Sequence, residues 1–351
     1  NVKYNNLNLE FQSNNEQMNN YFENETGTEQ NEYTGYFKNK NLILFMAESF
    51  NEIAVSEELT PTLYKLVHNG FYFTNYYTPT IDSTIGGEFQ ELTGLYPGNG
   101  FLANWKSGTN YFPYGIGTSF QNLGYNTYAY HDHDYTFQNR NKYLESLGFN
   151  NFEACGNGLE TKVNCHVWPE SDLEMIKGTV SDYASSDKPF MVYYATVSGH
   201  GDYTWTTQSS KHKDEVNNLN YSSKVLAYLA ANIELNNALE ELINELQENG
   251  KLDDTVIVLT GDHYPYFLSA DEVNEVSSYY KDPTVEINHS NLIIWNNKMT
   301  SKEINKVGSE IDVLPTIYNL FNVPYDSRII IGKDILSNEP GLAMFGNRSW
   351  V

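Results

Sequence analysis

The 351-residue sequence has no long apolar run, because nowhere do about 18 apolar residues follow one another, the length that a membrane-spanning helix needs. It is also poor in basic residues, with 21 Lys and Arg against 45 Asp and Glu and a net charge of −24. A field of this sign repels nucleic acid and anionic surfaces. We therefore expect no nucleic-acid partner, and an anionic substrate would need a local positive source such as a metal ion or a placed arginine.

Cysteine is scarce as well, since only Cys155 and Cys165 occur, close together in a loop that contains Gly and Asn. In an oxidising location a disulfide between them would stabilise the fold by roughly 3 kcal/mol. Two unrelated free thiols are the alternative. With no other cysteine in the chain, we do not expect a zinc site built from thiolates.

A secretory signal peptide is also missing, because residues 1–20 do not show a charged segment followed by an apolar one. The opening residues are polar and rich in Asn and Glu. We interpret residues 1–35 as the stem or linker of a larger protein. On this interpretation a membrane anchor precedes residue 1.

Strand-like and helix-like segments alternate from about residue 41 onward. The strands NLILFMA, MVYYATVSG and TVIVLTG are continuously apolar, as expected for strands that are buried on both faces. The pattern predicts an α/β fold with a mostly parallel central sheet and helices on both sides. We predict that residues 36–325 form the main domain and residues 326–351 a small C-terminal antiparallel sheet region.

Four of the predicted strands end in acids or histidines, namely Glu48, His131 with His133, His200, and Asp262 with His263. Ligands of such sheets bind beyond the carboxyl ends of the strands. The oxygen and imidazole groups of Glu48, Asp262 and His263 suit a divalent cation such as Mn²⁺ or Zn²⁺. A hydroxyl beside such a cation becomes a usable nucleophile, and the Ser/Thr-rich turn TPTIDSTIGGEF offers several.

Six motifs in this order resemble the extracellular catalytic domain of lipoteichoic acid synthase, in the sulfatase and alkaline phosphatase superfamily: NLILFMAESF, DSTIGGEF, HDHDYTFQNRNKYLESLGF, ATVSGH, DDTVIVLTGDHYPY and IDVLPTIYNLF. The resemblance covers roughly residues 33–348. It implies that residues 36–325 are a catalytic sulfatase-like domain. It also implies a place on the extracellular face of the cell membrane, as the ectodomain of a multi-pass protein, either anchored or released by cleavage.

The resemblance assigns roles to positions of this sequence. The nucleophilic threonine falls on Thr84, with Thr80 and Ser83 as turn and cap residues, and the proton-transfer histidine falls on His200. The implied metal ligands are Glu48, Thr84, Asp262 and His263, around one Mn²⁺, with Mg²⁺ or Zn²⁺ as alternatives. The implied substrate-binding residues are His131, Arg140, His200, Gln138 and His133. The plain alternatives are a helix cap for Thr84 and a surface helix position for Arg140.

The sequence departs from the family pattern at two of these positions. Gln138 stands where the family commonly has Trp, which leaves the substrate headgroup open. His133 stands where the family usually has an acid, and on an extended strand it projects to the same side as His131. A second metal or a tighter anion pocket therefore stays open, with His289 as the other spare ligand.

The resemblance implies an extracellular, metal-dependent phosphoglycerol transferase. It would move glycerophosphate from phosphatidylglycerol, through a phospho-threonine intermediate, to a polyglycerolphosphate chain of lipoteichoic acid. The alternatives are a phosphoethanolamine or other phosphodiester transferase or hydrolase on the same fold, and a non-enzymatic ectodomain that binds cell-wall polymer. A sulfatase is disfavoured, because DSTIGGE has no modifiable Cys or Ser in a C/S-x-P-x-R setting.

Overall fold

The architecture is given by a computed structural model that describes residues 14–98, 108–109 and 112–351. The strands in these residues are β1 (Asn41–Ala47), β2 (Phe71–Phe73), β3 (Tyr76–Tyr77), β4 (Asn126–Asp134), β5 (Asn151–Cys155), β6 (Phe190–Ala195), β7 (Thr255–Gly261), β8 (His289–Ser290), β9 (Ile293–Trp295), β10 (Lys302–Ile304) and β11 (Gly308–Ser309). Eight of them form one sheet in the order β10-β2-β9-β7-β1-β6-β4-β5. Every neighbouring pair in it is parallel except the two that involve β9.

Most of the helices lie between these strands in sequence, whereas the first precedes β1 and the last follows β11. They are α1 (Glu16–Asn24), α2 (Pro61–Asn69), α3 (Ser83–Thr93), α4 (Ile116–Asn122), α5 (Arg140–Ser146), α6 (Asp172–Thr179), α7 (Ser181–Ala184), α8 (Thr207–Lys211), α9 (Lys213–Val216), α10 (Ser223–Glu248), α11 (Ala270–Val276) and α12 (Val313–Phe321).

Strand β1 shows how the core is divided between the two faces of the sheet. Its odd-numbered apolar side chains, such as Ile43 and Phe45, pack with α2, α6 and α10. Its even-numbered ones, such as Leu42 and Leu44, pack with α3, α4, α5 and α12. Successive side chains of a strand point to opposite faces, so a strand buried on both faces must be apolar at every position. The predicted fold class is confirmed.

The small separate sheet lies elsewhere than the sequence predicted. Its strand order is β11-β3-β8, so its strands come from residues 76–77, 289–290 and 308–309. In residues 326–351 the backbone forms turns and one isolated antiparallel bridge, between Met344 and Trp350. The apolar residues that suggested strands there serve packing instead, because Ile330 and Ile335 are buried in the core beside α3 and α12. The division into stem, main domain and C-terminal region stays a prediction.

The described part of the predicted stem contains α1, which buries none of its residues. Farther along, Thr28 is buried, and its backbone N–H donates to Oγ of Ser327 at 2.8 Å. Within residues 14–98, 108–109 and 112–351, no helix combines the length and the apolar composition that a membrane span requires.

The two cysteines are joined. Cys155, the last residue of β5, forms a disulfide with Cys165, with the two Cα atoms 5.8 Å apart. Of the two alternatives that the sequence left open, the structure contains the disulfide. The bond ties the segment that follows β5 back to the edge of the sheet.

Helix α3 approaches the sheet unusually closely at Gly87. A Cβ atom added at Gly87 would lie 2.2 Å from the carbonyl oxygen of Asp262 and 2.8 Å from its Cα. Both are backbone atoms just beyond β7, so no side-chain rotation could make room. The glycine therefore sets the distance between α3 and the end of β7.

A buried carboxylate also fixes the position of α3 relative to α5 and β6. Glu88 of α3 is fully buried and accepts hydrogen bonds from Nε of Arg140 at 3.1 and 3.2 Å. It also accepts from the hydroxyls of Tyr143, at 2.5 Å, and Tyr193, at 2.9 Å. One side chain thus joins α3 to α5 and to β6.

We predict that Gly87→Ala destabilises the protein by about 1–3 kcal/mol, because the new methyl group overlaps the backbone of Asp262. Urea unfolding would measure the change. Gly98→Ala is the matched control, since an added Cβ there meets nothing within 4 Å. Equal unfolding midpoints for the two variants would contradict the close approach.

Glu88→Gln should destabilise the protein by about 3–5 kcal/mol, because it leaves the guanidinium of Arg140 buried without its counter-charge. Asp253→Asn removes a charge from an exposed ion pair with Lys298 and should leave the unfolding midpoint unchanged. If thermal and urea unfolding of Glu88→Gln match the native protein, this pair does not hold the fold.

Candidate active site

The site lies at the carboxyl ends of β1, β4, β6 and β7, where the sequence placed it. The ligand atoms of Glu48, Asp262 and His263, all three buried, lie within 4.8 Å of one another. Nε2 of His263 is 3.2 Å from Oδ2 of Asp262 and 3.6 Å from Oε1 of Glu48. No other trio of acids, histidines and cysteines in the part of the chain that the structure describes converges in this way.

Glu48, Asp262 and His263 face one another with hydrogen-bond acceptor atoms, and none of the three supplies a donor to the other two. Nδ1 of His263 lies 2.9 Å from the carbonyl oxygen of Tyr264, so in the neutral ring Nδ1 carries the proton and Nε2 offers a lone pair. Oδ2 of Asp262 is buried and has no hydrogen-bond partner among the residues that the structure describes. Burial, and then the charge of Glu48, raise the pKa of Asp262 to about 7. These residues fit a divalent cation, whose charge would satisfy all three.

Thr84 meets this group from α3. Its Oγ1 lies 3.2 Å from Nε2 of His263 and 3.4 Å from Oε2 of Glu48. The residue is the second of the helix, and the two before it, Asp82 and Ser83, have φ values of 59° and 58°, in the left-handed region. Non-glycine residues in this region are strained and cluster at functional sites.

The start of α3 is open toward the same space. Asp82 makes no side-chain cap, so the first backbone N–H groups of the helix have no partner from it. Such a helix start favours an anion. Thr84 and Ile85 line a cavity of about 170 Å³ at this point.

Arg140 also lines this cavity and is held by two partners. Nε donates to Glu88 and Nη1 donates to Nε2 of His131 at 2.8 Å. Among the described residues Nη2 has no partner, and Arg140 lines the cavity, so this nitrogen is available to an anion. Arg140 is 2 % exposed, which rules out the alternative of a surface helix position.

His131 lines the cavity with both ring nitrogens already engaged. Nδ1 donates to the carbonyl oxygen of Ala195 at 2.9 Å, and Nε2 accepts from Arg140. Burial, and then the charge of Arg140, hold the pKa of His131 well below its ordinary value. A neutral ring of this kind orients the guanidinium of Arg140.

His133 and His200 face each other across an aromatic side chain. The ring of Trp168 lies 4.7 Å from that of His133 and 4.8 Å from that of His200. Nδ1 of His133 pairs with Oε1 of Glu170 at 3.2 Å. Burial lowers the pKa of His200, and its Nδ1 has no partner among the described residues.

Gln138 lines the cavity with φ 57°, and Asn139 after it has φ 61°. His289 lies apart, because its nitrogens bond to Oε2 of Glu52 and to the carbonyl oxygen of Thr74. His289 is therefore not a spare ligand at this site.

Sequence reasoning missed several side chains at or behind the cavity, among them three aromatic ones and one acid. Phe137, Trp168 and Tyr266 line it, and Glu88 holds Arg140 from behind. Trp168 carried no sequence signal, because its place depends on a loop that follows the disulfide. Glu88 lies in the motif DSTIGGEF, where sequence reasoning assigned it no role of its own.

Comparison with known proteins gives a family and a set of relatives. The family model described as Sulfatase matches residues 40–323. The lipoteichoic acid synthase of Staphylococcus saprophyticus is 28% identical over 323 residues, which are 88% of this chain and 49% of that protein. Lipoteichoic acid synthase 2 of Bacillus subtilis is 24% identical over 344 residues, 92% of this chain and 51% of that protein. The chain spans about half the length of these curated relatives.

Solved structures share the fold. The lipoteichoic acid synthase LtaP from Listeria monocytogenes matches with a TM-score of 0.76 at 23% identity, covering 94% of this chain and 83% of that one. The C-terminal periplasmic domain of EcEptC from Escherichia coli matches with a TM-score of 0.63 at 15% identity, covering 90% and 92%. The resemblance inferred from the motifs is confirmed, and the chain belongs to the sulfatase family.

Proposed function

We propose that the chain is the catalytic part of an extracellular phosphoglycerol transferase that depends on a divalent metal. The observation that carries this proposal is the position of Thr84, whose hydroxyl lies between the Glu48, Asp262 and His263 group and the cavity lined by Arg140. The donor would be phosphatidylglycerol, and the acceptor the end of a polyglycerolphosphate chain. The similarity to lipoteichoic acid synthases supports both assignments.

Glu48, Asp262 and His263, with Oγ1 of Thr84, would hold the cation, with Mn²⁺ as the proposed ion. A bound divalent cation lowers the pKa of a neighbouring hydroxyl and offsets phosphate charge. Every other contribution to the reaction comes from the chain's own residues.

In the proposed reaction, the bond from Oγ1 of Thr84 to phosphorus forms while the bond from phosphorus to the glycerol oxygen of diacylglycerol breaks. The proton of Thr84 passes to solvent. Nη2 of Arg140 and the open start of α3 bind the phosphate oxygens. His131 keeps Arg140 oriented, and the aromatic wall of Trp168 with Gln138 limits the space for the headgroup.

His200 supplies the proton that the leaving oxygen needs. Its lowered pKa makes it neutral in the free protein. A phosphate group bound beside it favours the charged ring and so raises the pKa. In the second half of the reaction the acceptor hydroxyl attacks the same phosphorus and loses its proton to His200, while the bond from phosphorus to Oγ1 of Thr84 breaks and this oxygen regains a proton from solvent.

A covalent adduct would identify the nucleophile. After incubation of the Mn²⁺-loaded protein with phosphatidylglycerol in detergent micelles, intact-mass spectrometry should show a glycerophosphate adduct that maps to Thr84. Thr84→Ala should form none, whereas Thr80→Ala, which removes a nearby hydroxyl bonded to Asn288, should keep it.

Two other results would lead to different functions. An adduct from phosphatidylethanolamine alone would favour the phosphoethanolamine transferase. No adduct from any phospholipid, with the metal bound, would favour the polymer-binding ectodomain.

Binding of the metal ion should be visible as a gain in thermal stability. Saturating Mn²⁺ should raise the midpoint of thermal unfolding, since at 100 times Kd a ligand stabilises by about 2.7 kcal/mol. Asp262→Asn should abolish the shift, and Asp202→Asn, a change at an exposed acid, should not. Parallel titrations with Mg²⁺ and Zn²⁺ would rank the ions. A shift that survives Asp262→Asn would place the ion elsewhere.

A further inference from the structure

The mouth of the cavity carries three large aromatic side chains that are almost half exposed. Phe137 and Trp168 line the cavity and are 45% and 47% exposed. Phe267 is 44% exposed and packs against Tyr266, which also lines the cavity, with the ring centroids 4.9 Å apart. Single exposed apolar residues are ordinary, but a group around one opening marks an interaction surface.

All three rings lie at the side of the sheet where the parallel strands have their carboxyl ends. Phe137 follows β4, Phe267 follows β7, and Trp168 is placed there by its contacts with His133 and His200. We call Phe137, Trp168 and Phe267 the aromatic rim. Thr84 lines the same cavity as Phe137 and Trp168.

The size of the cavity shows what must remain outside. At about 170 Å³ it is smaller than the roughly 300–1,000 Å³ of pockets that enclose drug-sized ligands. It can admit a phosphorylated headgroup, but two acyl chains have to stay beyond the rim. The acyl chains of a phospholipid that reached Thr84 would therefore stay outside the cavity, next to the rim.

Charge cannot bring the protein to a bilayer surface. The net charge of −24 repels anionic lipids. Phe and Trp rings, by contrast, favour the boundary between headgroups and acyl chains, independently of salt. Lys224 adds one local cation, because its Nζ donates to the carbonyl oxygen of Phe267 at 3.1 Å.

We propose that the aromatic rim inserts into the outer boundary of a phospholipid bilayer and holds the cavity mouth against it, so that the headgroup enters while the acyl chains stay in the membrane. The proposal rests on the proposed function, because a lipid donor is what makes a bilayer the partner.

Fluorescence quenching tests the insertion directly. The protein is mixed with vesicles of phosphatidylglycerol and phosphatidylcholine whose acyl chains carry bromine, which quenches tryptophan at short range. The wild type should be quenched, and Trp168→Phe, which keeps an aromatic ring but removes this fluorophore, should lose the additional quenching. Binding should persist at 1 M salt, where the Debye length is about 3 Å, because screening removes repulsion and leaves apolar contact.

A second variant separates the rim from general adhesion. Phe267→Ser should lower the vesicle partition coefficient roughly fivefold, because the Phe ring leaves water on insertion and a Ser side chain does not. Leu123→Ser is the matched control. Leu123 is 41% exposed and lies just before β4, at the amino ends of the parallel strands. Its replacement should therefore leave the vesicle partition coefficient unchanged.

Each outcome has one meaning. Quenching that is equal in the wild type and Trp168→Phe, binding that disappears at 1 M salt, or equal losses in Phe267→Ser and Leu123→Ser would overturn the proposal. So would a rim that binds polyglycerolphosphate but not vesicles. A Thr84 adduct in micelles without quenching by vesicles would remove the rim proposal alone. Quenching without any adduct would contradict the proposed function and still support insertion of the aromatic rim into the bilayer.

Discussion

The pairing of Glu88 with Arg140 is the contact on which the geometry of the site depends. Glu88 sits one helical turn after Thr84, and its carboxylate is bonded to α5 and to β6 as well. A buried carboxylate is costly unless its charge and its lone pairs are satisfied, so only a narrow range of positions for α3 is compatible with a stable fold. Gly87 removes the remaining freedom by allowing backbone contact with Asp262.

The same pairing determines the orientation of Arg140 and which of its nitrogens faces the cavity. Neutralised on one side by Glu88 and oriented on the other by His131, the guanidinium keeps one nitrogen for the cavity. A positive group of this kind matters in a protein with a net charge of −24, because the surrounding field does not attract anions. The opposite imbalance holds elsewhere around the same cavity, where Glu48, Asp262 and His263 present acceptors to one another without a positive side chain among them. In the proposed function, Arg140 would bind the anion and the acidic group the cation, and the hydroxyl of Thr84 lies beside that acidic group and lines the same cavity as Arg140.

The strands and the polar side chains at their ends could be predicted from the sequence for a simple physical reason. A strand buried on both faces is apolar throughout, so a polar residue directly after it, such as Glu48 or Asp262, is conspicuous. It could not show that Glu88 pairs with a residue 52 positions away, because pairing across helices leaves no local pattern. It misplaced the small sheet, since Ile330 and Ile335 look the same in sequence whether they pair as a strand or fill a core. Trp168 was missed because a single aromatic residue in a loop carries no periodicity.

The position of Trp168 also links the cavity to the conditions in which the chain folds. Trp168 lies three residues beyond Cys165, and the bond from Cys165 to Cys155 ties this loop to the sheet edge. Disulfides form and persist in oxidising compartments and are rare in the cytosol, where thiols are kept reduced. A chain folded in the cytosol would have its sheet and its acidic ligands, yet the loop that presents Trp168 to His133 and His200 would lack its tether. The geometry of this part of the cavity wall therefore depends on conditions in which Cys155 and Cys165 are oxidised.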